Sequence, residues 1–504
     1  MSSPTIGPTT YPIADPAPNS ITTVDLANQF YKVLPKNAVL DKDEQLKPYE
    51  CDALTAYRQL PRLALLPSNI SEIQAIVKIC REYQIPIVAR GAGTSLSGGA
   101  MPNKDGILLN LAKLNQILEI DTHNRTATVQ PGVRNLAISE AAKPYGLYYA
   151  PDPSSQIACT IGGNIAENSG GVHCLKYGLT VHNVLALKIL TIDGEILELG
   201  GKNYDASGFD LLSLMTGSEG MLGITLEATV KLLPQPHDRK VILAAFDKVQ
   251  NAGDAVNGII SDGVIPAGLE MLDQLTIKAT EIYCSPGYPE TAAAILICEL
   301  DGYDEELATQ VNMVKNILKQ HHAIEVRVAK DKQEAELLWL GRKASFPALG
   351  NLTPDYYCMD GTIPRKHLAH VLENINQLSN EYGLRVANVF HAGDGNLHPV
   401  ILYDANISGE LETAEKLGGK ILELCVEVGG TITGEHGVGV EKLNQMCVQF
   451  NEAEISTFHA IKAAFDEHAL LNPGKAIPTL HRCAELGAMH VHNGNLPHPD
   501  LPRF

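Results

Sequence analysis

From Leu60 to Pro236 the chain breaks into short apolar runs separated by glycine-rich turns, and this rhythm limits its fold more than any other feature. Four segments there could deliver backbone amides to an anion: Arg90-Gly91-Ala92-Gly93-Thr94-Ser95, Pro151 to Gly171, Gly217-Ser218-Glu219-Gly220, and Leu222-Gly223-Ile224-Thr225. Glycine lets the main chain approach a ligand and adopt φ > 0, so successive N–H groups can converge on a pyrophosphate. One such segment alone is more often a plain turn. Together, with Thr160-Ile161-Gly162-Gly163-Asn164 and Asn168-Ser169-Gly170-Gly171 inside the second, they favour a phosphate cradle. The first follows a short buried strand, Pro86 to Ala89, which tempts a Rossmann reading. However, Leu96 stands where the GxGxxG fingerprint needs its third glycine, and a nicotinamide site is disfavoured.

At 504 residues the chain can hold two or three domains with full cores. A formal charge of −19 argues against nucleic acid or an anionic membrane surface as the main partner, and it obliges any site for an anion to build its own positive field. Ten scattered cysteines without a CxxC pair read as reduced, mostly buried thiols, and they argue against an iron–sulfur cluster within the chain. Met1 to Ser20 lacks the basic start and apolar core of a secretory signal, and no apolar run approaches a membrane span, so a cytoplasmic location is expected. Residues 1–50 form an N-terminal extension, and Pro234 to Asp238 divides a first domain (51–236) from an α+β second domain (237–440). A helical segment (441–480) and a tail (481–504) complete the chain. Within the first domain, Ser71 to Tyr83 reads as an amphipathic helix with a capping box at Ser71 and Gln74, and Val184 to Leu199 as a hairpin about Asp193-Gly194. Strands are expected at Val241 to Phe246, Ala292 to Leu300 and Glu325 to Ala329, and helices at Glu305 to Gln320, Gln333 to Arg342, Arg365 to Tyr382 and Glu452 to Phe465.

The run Phe390-His391-Ala392-Gly393-Asp394-Gly395-Asn396-Leu397-His398 reads as a hairpin about Asp394-Gly395. Counting outward, His391 faces His398. Directly opposed residues have Cβ atoms about 4.5–5.5 Å apart, close enough for two imidazoles to share a metal. Glu435 and His436, flanked by Gly434 and Gly437, add a carboxylate and a third imidazole. His391, His398 and Glu435 would leave an open coordination position, as in a catalytic zinc site. Manganese suits the same donors, and a metal-free hydrogen-bond network is the alternative. An extended segment would point Glu435 and His436 to opposite faces, so a loop must aim both inward. His490, His492 and His498 read as part of a docking or solvated tail.

Ile87 to Pro102, Pro151 to Gly178, Leu214 to Thr225 and Leu471 to Lys475 resemble the FAD-binding pattern of the vanillyl-alcohol oxidase/p-cresol methylhydroxylase superfamily. Leu338 to Lys343, Asp355 to Asp360, Asn388 to Pro399 and Gly429 to Val440 resemble its D-2-hydroxyacid dehydrogenase branch, and the similarity covers nearly the whole chain. The fold this implies is α+β: a two-lobed FAD-binding domain with an α+β cap domain built on an antiparallel sheet. The resemblance implies a pyrophosphate loop of Arg90, Gly91, Ala92, Gly93, Thr94, Ser95, Gly98 and Gly99. Pro151, Asp152, Ser155, Thr160, Gly162, Gly163, Asn164, Asn168, Gly170 and Gly171 would contact the pyrophosphate and the ring side. Glu219, Gly223 and Ile224 would follow the adenosine side, with Asn472 and Lys475 closing the site. Relatives with histidyl-linked flavin carry His where this chain has Thr94, so the FAD is expected to be non-covalent, and Cys159 to be a buried thiol.

The same resemblance implies oxidation of a small D-2-hydroxy acid, glycolate or D-lactate. A metal held by His391, His398 and Glu435 would lower the hydroxyl pKa, and His436 would act as base. Arg342 would clamp the carboxylate through its planar fork, with Lys343 as a weaker substrate contact. Cys358 stands where relatives acting on larger diacids have a Lys, which argues for a monocarboxylate. The implied partners are a second flavin-type subunit and an iron–sulfur subunit that would hold this chain at the inner face of the membrane. A self-sufficient dehydrogenase, possible homo-oligomers, and a non-catalytic flavin subunit remain alternatives.

Overall fold

Leu63–Leu65, Ile87–Arg90 and Ile107–Asn110 are short strands with almost every residue buried, as parallel strands covered on both faces must be. In the computed structural model, which describes residues 21–203 and 208–479, Ile107–Asn110 lies between the other two as their parallel partner. Val39–Leu40 adds an antiparallel edge beside Leu63–Leu65. The helix Ile70–Glu82 packs Ile73, Ile76, Val77 and Cys80 into this lobe. Its cap differs from expectation: Asn69, not Ser71, accepts the Glu72 amide. Asn69 is extended and its short amide reaches back to the first turn, the geometry an N-cap needs.

The second lobe is a five-stranded antiparallel sheet in the order Ile117–Asp121, Thr126–Val129, Ile224–Lys231, Val184–Leu190, Ile196–Gly200. The expected hairpin at Asp193-Gly194 closes it, with Leu190 opposite Ile196 and Gly194 at positive φ. The chain then enters a nine-stranded antiparallel sheet at Asp238. The expected strands and helices of this half are present at Asp238–Phe246, Ala294–Gly302, Glu325–Val328, Asp304–Gln320, Lys332–Lys343, Leu368–Tyr382 and Glu452–Phe465. Of the cysteines, Cys51, Cys80, Cys159, Cys174, Cys284, Cys298, Cys358 and Cys425 are free thiols. Cys447 is disulfide-bonded, contrary to the expectation of thiols throughout. The tail with His490, His492 and His498 lies outside the described residues.

Side chains alternate across a strand, so this sheet sorts its residues onto two faces. Ile242, Ala244, Leu296, Cys298, Leu269, Met271 and Phe390 enter one apolar core. Val241, Leu243, Ile295, Ile297, Leu272, Ala387 and Val389 enter another, beneath the helix residue Leu338. The second face also carries the buried carboxylates Glu270 and Glu299, which follow the same parity. Burying an unpaired carboxylate is costly, so these positions dictate where cations must lie.

One such cation joins the two halves. His173 lies 2.8 Å from Asp152 Oδ2 through Nδ1 and 3.3 Å from Glu299 Oε1 through Nε2. Burial opposes its charge, but Asp152 and Glu299 outweigh it and raise its pKa to about 10. A histidine with a raised folded pKa stabilises fully below its unfolded value, near 6.5, and loses that contribution as pH climbs through its folded value. His173→Gln should therefore lower the unfolding free energy by about 2 kcal/mol near pH 6, with the deficit shrinking toward about pH 10. Paired denaturant titrations at the two pH values read this directly.

Candidate functional site

Glu270 and His391 are direct cross-strand partners on neighbouring strands, Gly268–Asp273 and Val386–His391. Both point to the face covered by the helix Lys332–Lys343. Arg342 stands four residues beyond the buried Leu338, on the same side of that helix. The result is a buried relay. Arg342 Nε donates to Glu270 Oε2 at 2.7 Å, and Glu270 Oε1 lies 2.8 Å from His391 Nδ1. Burial alone would raise Glu270, but His391 and Arg342 hold it below the usual carboxylate range. Lys343, about 100° further round the helix, is exposed and is not brought to the site. That corrects its expected role as a substrate contact.

The expected hairpin register is also wrong. His391 pairs with Asn396, not His398, across a four-residue turn. The slip is two residues, and an even slip leaves every side chain on its own face. His398 therefore still comes diagonally beside His391, with ring centroids 5.0 Å apart. Gly395 in that turn has φ +84°, and a Cβ there would collide with the Ile363 carbonyl, so only glycine fits.

Glu435 completes the set. Its Oε1 lies 3.2 Å from His391 Nε2 and 3.2 Å from His398 Nε2, and its Oε2 accepts the Gly170 amide at 3.1 Å. Asp360, with His398 and His436, forms a second group of ligating size. Its Oδ2 is already occupied, accepting from Gly434 N, His436 N, Thr433 Oγ1 and Lys442 Nζ, so the first group is the better metal cage. Burial would raise Asp360, but His436 and Lys442 hold it well below the usual carboxylate range. This anchor turns the glycine-flanked loop so that Glu435 and His436 both face inward, as expected.

The donor set fits a divalent metal. The ligating atoms of His391, His398 and Glu435 all lie within 4.8 Å of one another, and Nδ1 of the buried His398 has no hydrogen-bond partner. The Glu270 carboxylate holds the Nδ1 side of His391 and leaves Nε2 for a ligand, the carboxylate–histidine arrangement of metal sites. His436 stacks on His398 at 5.0 Å, and its buried Nδ1 also lacks a partner. Burial pushes its pKa down to about 4, so the ring is neutral at pH 7 and can accept a proton.

His398, Glu435 and His436 line one cavity together with the glycine-rich segments of the first domain. Of the expected cofactor residues, Arg90, Gly91, Ala92, Gly93, Thr94, Ser95, Gly99, Ser155, Thr160, Gly162, Gly163, Asn164, Glu219, Gly223 and Ile224 line it. The wall is closely packed on itself: a Cβ on Gly162 would lie 2.7 Å from Pro131 Cβ, and Gly93 sits at φ +74°. Other expected contacts act from behind the wall. Asn472 Nδ2 donates to Gly99 O and Glu219 O, and Lys475 Nζ donates to Gly99 O. The Pro151 carbonyl accepts from Asn135, Asp152 engages His173, Asn168 Oδ1 accepts the Val181 amide, and Gly170 donates to Glu435. Gly98 packs against Val440, and Gly171 against Asp152. Cys159 is buried, as expected, and burial raises its thiol. Sequence reading assigned no role to Glu270, Asp360, Glu167, Phe346 or Tyr356, although Glu167, Phe346 and Tyr356 line the cavity. An acid inside the apolar run Gly268 to Asp273 was the one available hint for Glu270.

Residues 61–200 match the FAD binding domain family, and residues 235–476 match the C-terminal domain of FAD linked oxidases. The glycolate oxidase subunit GlcD of Escherichia coli K12 is 61% identical over 94% of this chain and 94% of its own length. The Bacillus subtilis subunit of the same name is 41% identical over 90% of this chain and 97% of its own. The D-lactate dehydrogenase of Archaeoglobus fulgidus is 34% identical over 82% and 91%. The chain belongs to the FAD-linked oxidase family. It is an FAD-linked oxidoreductase of the branch containing the glycolate oxidase D subunits and the D-lactate dehydrogenases. Among solved structures, p-cresol methylhydroxylase superposes with a TM-score of 0.77 at 18% identity, covering 92% of this chain and 98% of that one, which shows a shared fold. The expected two-lobed FAD-binding architecture with an antiparallel cap sheet is thus present.

Gly162→Ala forces the Pro131 segment out of the cavity wall. The purified variant should lose most of its bound FAD, read as the ratio of flavin to protein absorbance, while its far-ultraviolet circular dichroism stays unchanged.

Proposed function

We propose that this chain oxidises a small D-2-hydroxy acid, glycolate to glyoxylate or D-lactate to pyruvate, using non-covalent FAD. The observation that carries this reading is the buried chain Arg342–Glu270–His391, which joins a guanidinium to the His391–His398–Glu435 group, two of whose members, His398 and Glu435, line the FAD cavity. When bound, FAD supplies the hydride acceptor and a divalent metal, zinc or manganese, the charge that acidifies a nearby hydroxyl. Arg342 commits Nε to Glu270, and its outer nitrogens meet the substrate carboxylate bidentately. His436 takes the hydroxyl proton at its unpartnered Nδ1. Cys358, buried in the apolar core of the cap, brings no second cation, which favours a monocarboxylate.

The relatives named as glycolate oxidase subunits support a multi-subunit setting. In it, electrons leave through a second flavin-type subunit and an iron–sulfur subunit to the membrane quinone pool. Among the described residues no helix is long and apolar enough to cross a membrane, so contact with the inner face would run through those partners from the cytoplasm. The similarity to the Archaeoglobus D-lactate dehydrogenase supports a second reading, a dehydrogenase that works alone with another acceptor.

Anaerobic glycolate or D-lactate should bleach the flavin absorbance of the purified chain. Protein verified to hold FAD and metal that bleaches with no 2-hydroxy acid would sink the reading. Glu435→Gln should retain FAD, lose stoichiometric metal by elemental analysis, and slow flavin reduction by at least about 100-fold. An undiminished rate would show that no metal acts at these residues.

A further inference from the structure

Two carboxylates, Glu167 and Glu219, meet in the wall of the FAD cavity. Glu219 is fully engaged: its oxygens accept from Val438 N at 2.6 Å and from Gly439 N at 2.7 Å. Glu167 is not. It ends the helix Ile161–Glu167, and its Oε2 is buried with no hydrogen-bond partner. Its carboxyl is wedged between two glycines. A Cβ on Gly99 would fall 2.5 Å from Oε1, and one on Gly437 would collide with Oε2. Glu167 thus sits where the glycine loop of the first lobe meets the loop that carries His436.

Amide donors favour a charged carboxylate, so Glu219 holds the negative charge of the pair. Burial, Glu219 and Asp52 together raise Glu167 well above the usual carboxylate range, against the pull of Lys475 and Lys442. A protonated acid has one O–H to give; Oε2 is sealed against Gly437, so Oε1, the oxygen that keeps open surface, is the one that gives it. FAD brings acceptors along its whole length, in its phosphates and its ring carbonyls.

We propose that Glu167 is a neutral carboxylic acid that donates a hydrogen bond to the bound cofactor, a further cofactor-binding residue that stabilises the electron-rich reduced flavin. This rests on the reading of the cavity as the FAD site. An ionised carboxylate in the same place would repel the electrons and drive the flavin potential down.

The test compares wild type, Glu167→Gln and Glu167→Leu as purified flavoproteins near neutral pH, by FAD dissociation constant, visible spectrum and midpoint potential. Gln keeps a neutral donor, so it should match wild type in all three. Leu removes the donor, so it should weaken FAD binding about tenfold and make the potential more negative. A Gln variant with a markedly more positive potential would show that Glu167 is ionised and overturn the proposal. A Leu variant equal to wild type would overturn it too. A wild-type chain with no affinity for FAD would overturn the cofactor reading itself, and this proposal with it.

Discussion

A buried carboxylate must be met by cations or by N–H donors, and four of them organise the centre of this protein. Glu270 draws Arg342 and His391 together across the cap sheet. Asp360 gathers the amides of Gly434 and His436 and the ammonium of the fully buried Lys442. Glu219 reaches from the FAD lobe to the Val438 and Gly439 amides, and Glu435 returns to the Gly170 amide. Two of the four therefore bind across the junction between lobe and cap. Removing any one leaves a donor or a cation stranded in a dry interior, so the position of the loop Thr433 to Gly439 is set by electrostatics more than by packing.

These bonds run both ways along the molecule, which ties the geometry of the cofactor wall to that of the cap. Asn472 and Lys475 brace Gly99 from behind, and Glu219, held to the same Asn472 through its carbonyl, grips the loop beside His436. A continuous run of hydrogen bonds thus links the glycine wall to the loop beside His436.

The parts of the site that sequence reading reached are those whose meaning is local. A glycine needed for close approach, such as Gly162, or for positive φ, such as Gly93, is marked by its own identity. His391 and His398 lie side by side although the expected pairing is wrong, because side-chain parity survives an even error in register; an odd one would separate them. What stayed hidden was set by distance along the chain. Glu270 lies over a hundred residues from His391 and Arg342 lies between them, so nothing in a short window links the three. Asp360 and Glu167 look like ordinary acids until the fold buries them. Lys343 failed for the opposite reason: adjacency to Arg342 in sequence means separation around a helix.

A chain with a net charge of −19 must still attract and hold an anion. Around the cage, Glu270, Asp360 and Glu435 face the cations Arg342 and Lys442, and although burial opposes it, Glu270 and Glu435 draw His391 toward its protonated form. A divalent ion among His391, His398 and Glu435 would take the place of that proton and add positive charge. It would do so locally, in a cavity whose low dielectric magnifies the difference. The charge that the cage presents to an anion therefore depends on what fills it, a proton or a metal ion.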